Sequence, residues 1–263
     1  LVRQYLSTKD ENQAKIFVSE VLTSHEREIG DMVTVSLSEL IGVGLYTVPQ
    51  AARLTGVPSA SIKRWMFGYQ YQYKDQQRTQ ECVVHPQLAD LQAQAKLISF
   101  SDLIEVMFVH EFRRQGVSWK IIRHAAEKAR DLVRDDHPFS SQRFLTDGHA
   151  IFADIAVKAR TKSLVNLVND QLLFRSMMLP ELRGSLEFKG KAIARWWPMG
   201  KRKPVLLDPD RQFGQPITEE EGVPTQVLAK AYESLGSEEK VARWYDVSKR
   251  SVKASIEFER RAA

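Results

Sequence analysis

The chain has 263 residues, more than one ordinary domain needs, so two domains joined by a connecting region are expected. Hydrophobic residues at 43% and charged residues at 27% exclude an intrinsically disordered chain. Thirty-eight Lys and Arg against 33 Asp and Glu leave a formal net charge of +5, which permits a polyanionic partner such as DNA without demanding one.

The first residue is Leu, which reads as a start that has been trimmed or processed. No signal-peptide pattern follows it. Residues 1–45 mix polar stretches such as STKDENQ with short apolar runs, and they read as an arm that docks on a partner or a neighbouring subunit.

At Tyr46 the pattern changes to YTVPQAARLTGVPSASIKRWMFGY. Thr47 can cap a short helix with Pro49 in its first turn, and Ala51, Ala52 and Leu54 give that helix a small apolar face. Gly56 ends it, Val57 can plug the gap, and a second helix opens with Pro58 and Ser59. The small Ala side chains let the two helices approach closely, which is the pattern of a helix-turn-helix. Next comes GYQYQYKDQQRTQECVVHPQL, in which aromatic and polar residues alternate. That alternation suits a β-hairpin wing, or else a tyrosine face of Tyr69, Tyr71 and Tyr73 packed on the helices.

Cys82 is the only cysteine, which excludes an intrachain disulfide and a Cys-rich zinc site and fits a reducing cytoplasm. A helix is signalled from Ser99, where Ser99 and Asp102 resemble a capping box ahead of Leu103, Ile104, Met107, Phe108 and Phe112 at helical spacing. Its run LIEVMFVH is far too short to span a bilayer, and no membrane partner is expected. Gly116 stops this helix and Ser118 opens another, reaching RDDHP, so the pair should form a hairpin behind the first recognition unit.

A loop with a turn at Asp147 and Gly148 is expected over 137–152, then a helical pattern in TKSLVNLVNDQLLFRSMM. LEFKGKAIARWW at 186–197 reads as a hairpin about Lys189 and Gly190, KPVLL offers a third strand, and PMGKRK is the candidate linker. Trp196 and Trp197 are a candidate partner-binding patch, with core packing as the alternative. From Gly222 onward three short helices are expected: Val227, Leu228 and Ala231 line the first, Gly236 ends it, and Ser237 opens the second. Asp246 and Ser248 bracket a turn before the third. Here ARWYDVSKRSVK at 242–253 echoes ARLTGVPSASIK at 52–63, so the chain holds two helix-turn-helix-like units.

Stretch 46–67 resembles the winged helix-turn-helix of MerR-type regulators, and GVSWKIIRHAAEKA at 116–129 resembles the helix that follows it in that fold. The C-terminal stretch carries Asp208–Pro209, Gly214 to Pro216, Val223 to Thr225, Ser237 to Ala242 and Tyr245. These positions are similar to a small antitoxin domain of uncharacterised function, although ITEEEGVPT replaces its usual short Gly-Thr turn. Together the halves resemble the VapB-like antitoxins of bacterial toxin–antitoxin operons. The resemblance implies a cytoplasmic protein that binds its own operator DNA as an autorepressor and neutralises a cognate toxin, commonly a PIN-type ribonuclease. A MerR-like regulator that senses a small ligand and has no toxin is the alternative.

The expected architecture is therefore mainly α with small β elements. It comprises an arm (1–45), a winged helix-turn-helix with its helical hairpin (46–152), a connector with a small hairpin (153–203) and a C-terminal tri-helical helix-turn-helix-like domain (204–263). On the DNA-binding reading, Ser59, Ser61, Lys63 and Arg64 lie on the first reader helix, with Arg53 on the helix before it. The equivalent set in the second unit is Ser248, Lys249, Arg250, Ser251 and Lys253, with Arg243 ahead of it, and that unit reads DNA or holds a protein. A homodimer is expected, because one helix-turn-helix reads too few base pairs for operator specificity. No nucleophile stands beside a base and no Gly-rich phosphate loop occurs, so no enzymatic activity is expected. The histidines have no metal-ligand spacing, and DDH at 135–137 and DPD at 208–210 read as turn or cap residues, so no cofactor or metal is expected.

Overall fold

In the computed structural model, which describes residues 42–89, 96–142, 144 and 184–262, the first unit begins where the sequence pattern changes. Strand β1 (Tyr46–Thr47) runs into helix α1 (Val48–Thr55). Thr47 accepts a hydrogen bond from the Gln50 N–H at 3.3 Å, and Gln50 Oε1 accepts one from the Thr47 N–H at 2.8 Å. This reciprocal cap satisfies two donors that a helix start leaves orphaned. Gly56 then takes a left-handed φ of 71°, and α2 (Ser59–Phe67) follows. Ala51, Val57 and Ile62 are buried at 0–1%, and they set the close approach of the two helices.

After α2 the chain forms the wing, an antiparallel pair of β2 (Tyr69–Tyr73) and β3 (Gln76–Gln80). Lys74 and Asp75 both have positive φ, 48° and 61°, the twist a two-residue hairpin requires. At the root of the wing, a Cβ on Gly68 would lie 2.5 Å from the Gln80 carbonyl oxygen, so only glycine admits this crossing. The Val83 and Val84 N–H groups then donate to the Trp65 carbonyl, returning the chain to α2.

Strand β4 (Leu97–Ile98) pairs with β1 and leads into α3 (Phe100–Arg114), capped by the expected Ser99–Asp102 box. Helix α3 is buried nearly all round, whereas α4 (Trp119–Val133) turns only Ile122, Ala125, Ala126 and Ala129 inward. Phe108, Phe112, Phe139 and Phe144 meet edge to face, with the Phe139 and Phe144 ring centroids 4.8 Å apart.

The loop after α4 is tied to α3 by buried polar groups. His137 Nε2 lies 2.8 Å from Asp102 Oδ1, and the Ser140 N–H donates to Glu105 Oε1 at 2.7 Å. Burial pushes the Glu105 carboxyl up to about 8. Burial works to lower the His137 pKa, but the hydrogen bond and charge of Asp102, with Glu105 and Asp135 nearby, hold it above its usual value. Asp135 accepts from the His137 N–H at 2.9 Å, the turn role expected for this stretch.

Beyond the described loop, β5 (Leu186–Lys189) and β6 (Ala192–Trp196) form a hairpin, its turn one residue later than expected, at Gly190 and Lys191. Strand β7 (Val205–Leu206) pairs with β8 (Ile217–Thr218), and Leu207 bridges to Trp196, so KPVLL does supply a further strand. Trp196 and Trp197 are 5% and 3% exposed. The expected partner-binding patch is therefore not at the surface, because both indoles fill the core beneath these strands.

Three helices close the chain: α5 (Thr225–Leu235), α6 (Glu238–Tyr245) and α7 (Lys249–Ala262). Gly236 ends α5 in the left-handed region, and Ser237 caps α6 through the Lys240 N–H. Leu228, Val241, Val247, Val252 and Ile256 make a core of their own. The opposite face of α7 places Ala254 and Phe258 in the main core with Tyr46, Val205 and Leu207. The Tyr46 hydroxyl also donates to the Gly214 carbonyl at 2.7 Å across 168 residues of sequence. The fold is mainly α with small antiparallel β elements, seven α-helices among the described residues. No described helix is long and apolar enough to cross a membrane. The turn expected at Asp147 and Gly148, the helical pattern after it and residues 1–41 of the arm lie outside the described residues.

Candidate nucleic-acid interface

Helix α2 presents two faces. Ile62, Trp65 and Met66 point into the core, while Lys63 and Arg64 are exposed on the outer side. Ser59 and Ser61, in the first turn of the helix, are half-buried.

The wing continues this surface. In the β2–β3 register Tyr71 faces Arg78, Tyr69 faces Gln80 and Tyr73 faces Gln76, which places these side chains on one face. The three tyrosines are 38–47% exposed, so they do not form a face packed on the helices. Two of them hold cations instead: the Arg64 guanidinium lies 5.6 Å from the Tyr69 ring, and Arg78 and Lys74 lie 4.8 and 5.6 Å from the Tyr73 ring. Such contacts order long side chains without neutralising them. Between residues 44 and 84 there are five cations and only Asp75 and Glu81 as carboxylates, a local excess suited to phosphate.

Arg53 is placed differently. Its Nη1 lies 2.7 Å from Glu259 Oε2 on α7, and Glu259 Oε1 also accepts from the Thr225 hydroxyl at 2.5 Å. This cation of α1 is thus tied to the C-terminal helices.

In the second unit the expected set is largely engaged within the protein. Ser251 is 3% exposed, and its hydroxyl meets both Glu221 carboxylate oxygens at 3.0 Å. Burial removes it from any DNA-facing surface. The Ser248 N–H also donates to Glu221, Lys249 pairs with Glu239, and Arg250 donates to the Arg202 carbonyl at 2.7 Å. Lys253 and Arg243 remain exposed. Residues 216–262 carry eight cations and nine carboxylates, so this unit as a whole lacks the cationic excess of the first.

Sequence reasoning placed the wing but passed over Lys74 and Arg78 as site residues; their alternation with tyrosines across a two-residue turn was the available signal. It also passed over Trp244, 78% exposed on α6.

Residues 44–126 match a family model described as "Putative DNA-binding HTH domain", which spans α1, α2, the wing and most of the α3–α4 hairpin. The chain is 26% identical over 193 residues to "Putative antitoxin VapB45" of Mycobacterium tuberculosis, an alignment covering 69% of this chain and 79% of that protein. It also shares the fold of the crystal structure of Rv2018 from Mycobacterium tuberculosis, with a TM-score of 0.61 and 20% identity, over 82% of this chain and 99% of that one.

Proposed function

We propose that this protein is the antitoxin of a bacterial toxin–antitoxin operon, a non-enzymatic cytoplasmic repressor that binds its own operator and neutralises a cognate toxin, a PIN-type ribonuclease. The observation that carries the DNA half is the continuous exposed surface formed by Lys63 and Arg64 of α2 with Arg78 and Lys74 of the wing. The similarity to a VapB-named protein supports the toxin half.

On this reading α2 enters the major groove. Lys63 and Arg64, with Ser59 and Ser61 behind them, face base edges and phosphates, and the wing cations follow the neighbouring backbone. Phosphate contacts supply most of the affinity, and base contacts supply the discrimination. A homodimer doubles the site to an operator of two half-sites. The division of labour follows the segments 46–152 and 204–263, with DNA reading assigned to the first.

The test is made in cells. The product of the gene adjacent to this one is induced in a host that also carries a reporter under this gene's own promoter. The expected result is that the adjacent product alone stops growth, that this chain restores growth, and that it represses the reporter. Repression without any protection from an adjacent product would leave a DNA-binding regulator of the ligand-sensing, MerR-like kind and overturn the antitoxin reading.

A further inference from the structure

We infer that the outer face of α6, centred on Trp244, is the surface on which the toxin docks; the inference rests on the antitoxin reading above. Trp244 is 78% exposed, the most exposed large apolar side chain among the described residues. The core of its own unit is complete without it, built from Leu228, Val241, Val247, Val252 and Ile256. An indole left in water at this cost in apolar surface is the residue type that anchors protein interfaces.

The rim of the patch defines the partner. On a helix, Lys240 neighbours both Trp244, four residues on, and Arg243, three residues on. Among the described residues neither Lys240 nor Arg243 has an ion-pair partner, whereas the adjacent Glu239 is taken by Lys249. An aromatic anchor flanked by two unpaired cations fits a protein with an apolar socket rimmed by carboxylates. Helix α6 is preorganised for this, capped by Ser237 at its start and by Asp246 in the left-handed region at its end, and seated by Val241.

DNA is the weaker occupant of this unit. Of the cations in its reader position, Lys249 is paired with Glu239 and Arg250 donates to the Arg202 carbonyl, and across residues 216–262 nine carboxylates offset eight cations. A phosphate backbone brought to such a surface would gain little from counterion release. The two helix-turn-helix-like units thus divide the work, the first facing DNA and the second facing protein.

The test uses the full chain and the purified product of the adjacent gene, with binding followed by calorimetry. Trp244→Ser and, separately, Lys240→Glu with Arg243→Glu should each weaken binding of that product at least tenfold. Promoter DNA affinity should stay within twofold, and the melting temperature should be unchanged because all three residues are exposed. Undiminished binding of the adjacent product by both variants would overturn the docking site while leaving the antitoxin reading intact. So would a loss confined to promoter affinity, which would make this a DNA face. A dimer that Trp244→Ser turns into a monomer, with binding of the product unchanged, would make it a contact between two copies and would equally overturn the site. If the wild-type chain binds no adjacent product, the antitoxin reading fails and the docking site falls with it.

Discussion

Replacing Glu105 by Gln should flatten the dependence of stability on pH. Glu105 is 2% exposed on α3, its carboxylate accepts the Ser140 N–H, and burial raises its pKa from 4.5 to about 8. Between those values the unfolded chain has released the Glu105 proton while the folded chain retains it. The folded state therefore binds more protons, and stability falls as pH rises. From pH 6 to pH 8 this single group costs the fold about 2 kcal/mol. His137, whose pKa is raised, acts in the same direction: its stabilising proton is present below its unfolded value and is lost as pH climbs through the folded one. Gln keeps the acceptor for Ser140 and, like the protonated carboxyl, carries no charge, so Glu105→Gln removes this titration, while Asp102 and Asp135 still act to raise the His137 pKa. For a chain of this size about 2 kcal/mol corresponds to roughly 4–8 °C in melting temperature. Thermal melts of the wild type and the variant at pH 6 and pH 8, at one ionic strength, should differ by that amount in their pH response. Identical pH responses would refute the reasoning.

Three further outcomes follow from the geometry. Lys63→Ala with Arg64→Ala should lower the slope of log affinity against log salt for promoter DNA by up to about 1.8, each phosphate contact contributing about 0.9, as read by fluorescence anisotropy from low to moderate salt. Gly68→Ala should destabilise the protein by about 1–3 kcal/mol in denaturant melts, because its Cβ would meet the Gln80 carbonyl oxygen at 2.5 Å and its φ is +67°; an unchanged midpoint would show that the wing root tolerates a side chain. Glu259→Gln should release Arg53 from its 2.7 Å ion pair and tighten promoter binding severalfold at low salt; unchanged affinity would place Arg53 away from the DNA.

Local signals made much of the first unit legible. Thr47, Pro49 and Gly56 bound α1, Ser99 and Asp102 cap α3, and Ser118 opens α4, because caps and left-handed glycines act within a few residues. The wing was legible from alternation alone. The strand pair β1–β4 was not, since two residues at each end of a 50-residue separation carry no periodicity. Nor was the burial of Asp102, Glu105 and His137, which depends on a loop folding back 35 residues onto α3. The tryptophans show the same limit from the other side. Nothing in "ARWW" or "ARWYD" distinguishes a buried indole from an exposed one, yet Trp196 and Trp197 lie in the core and Trp244 lies in water. Likewise Ser251 occupies a reader position by sequence, but the ITEEEGVPT loop brings Glu221 against it. Which face of a short amphipathic helix is covered is decided by partners far away in the chain.

On the proposed function, the first unit reads a specific DNA sequence. The most direct test is competition between this gene's own promoter fragment and a scrambled fragment of equal length and composition, for the full-length protein at physiological salt. Promoter binding is expected to be tighter by about 10³-fold or more. Equal affinity for the two fragments would contradict it.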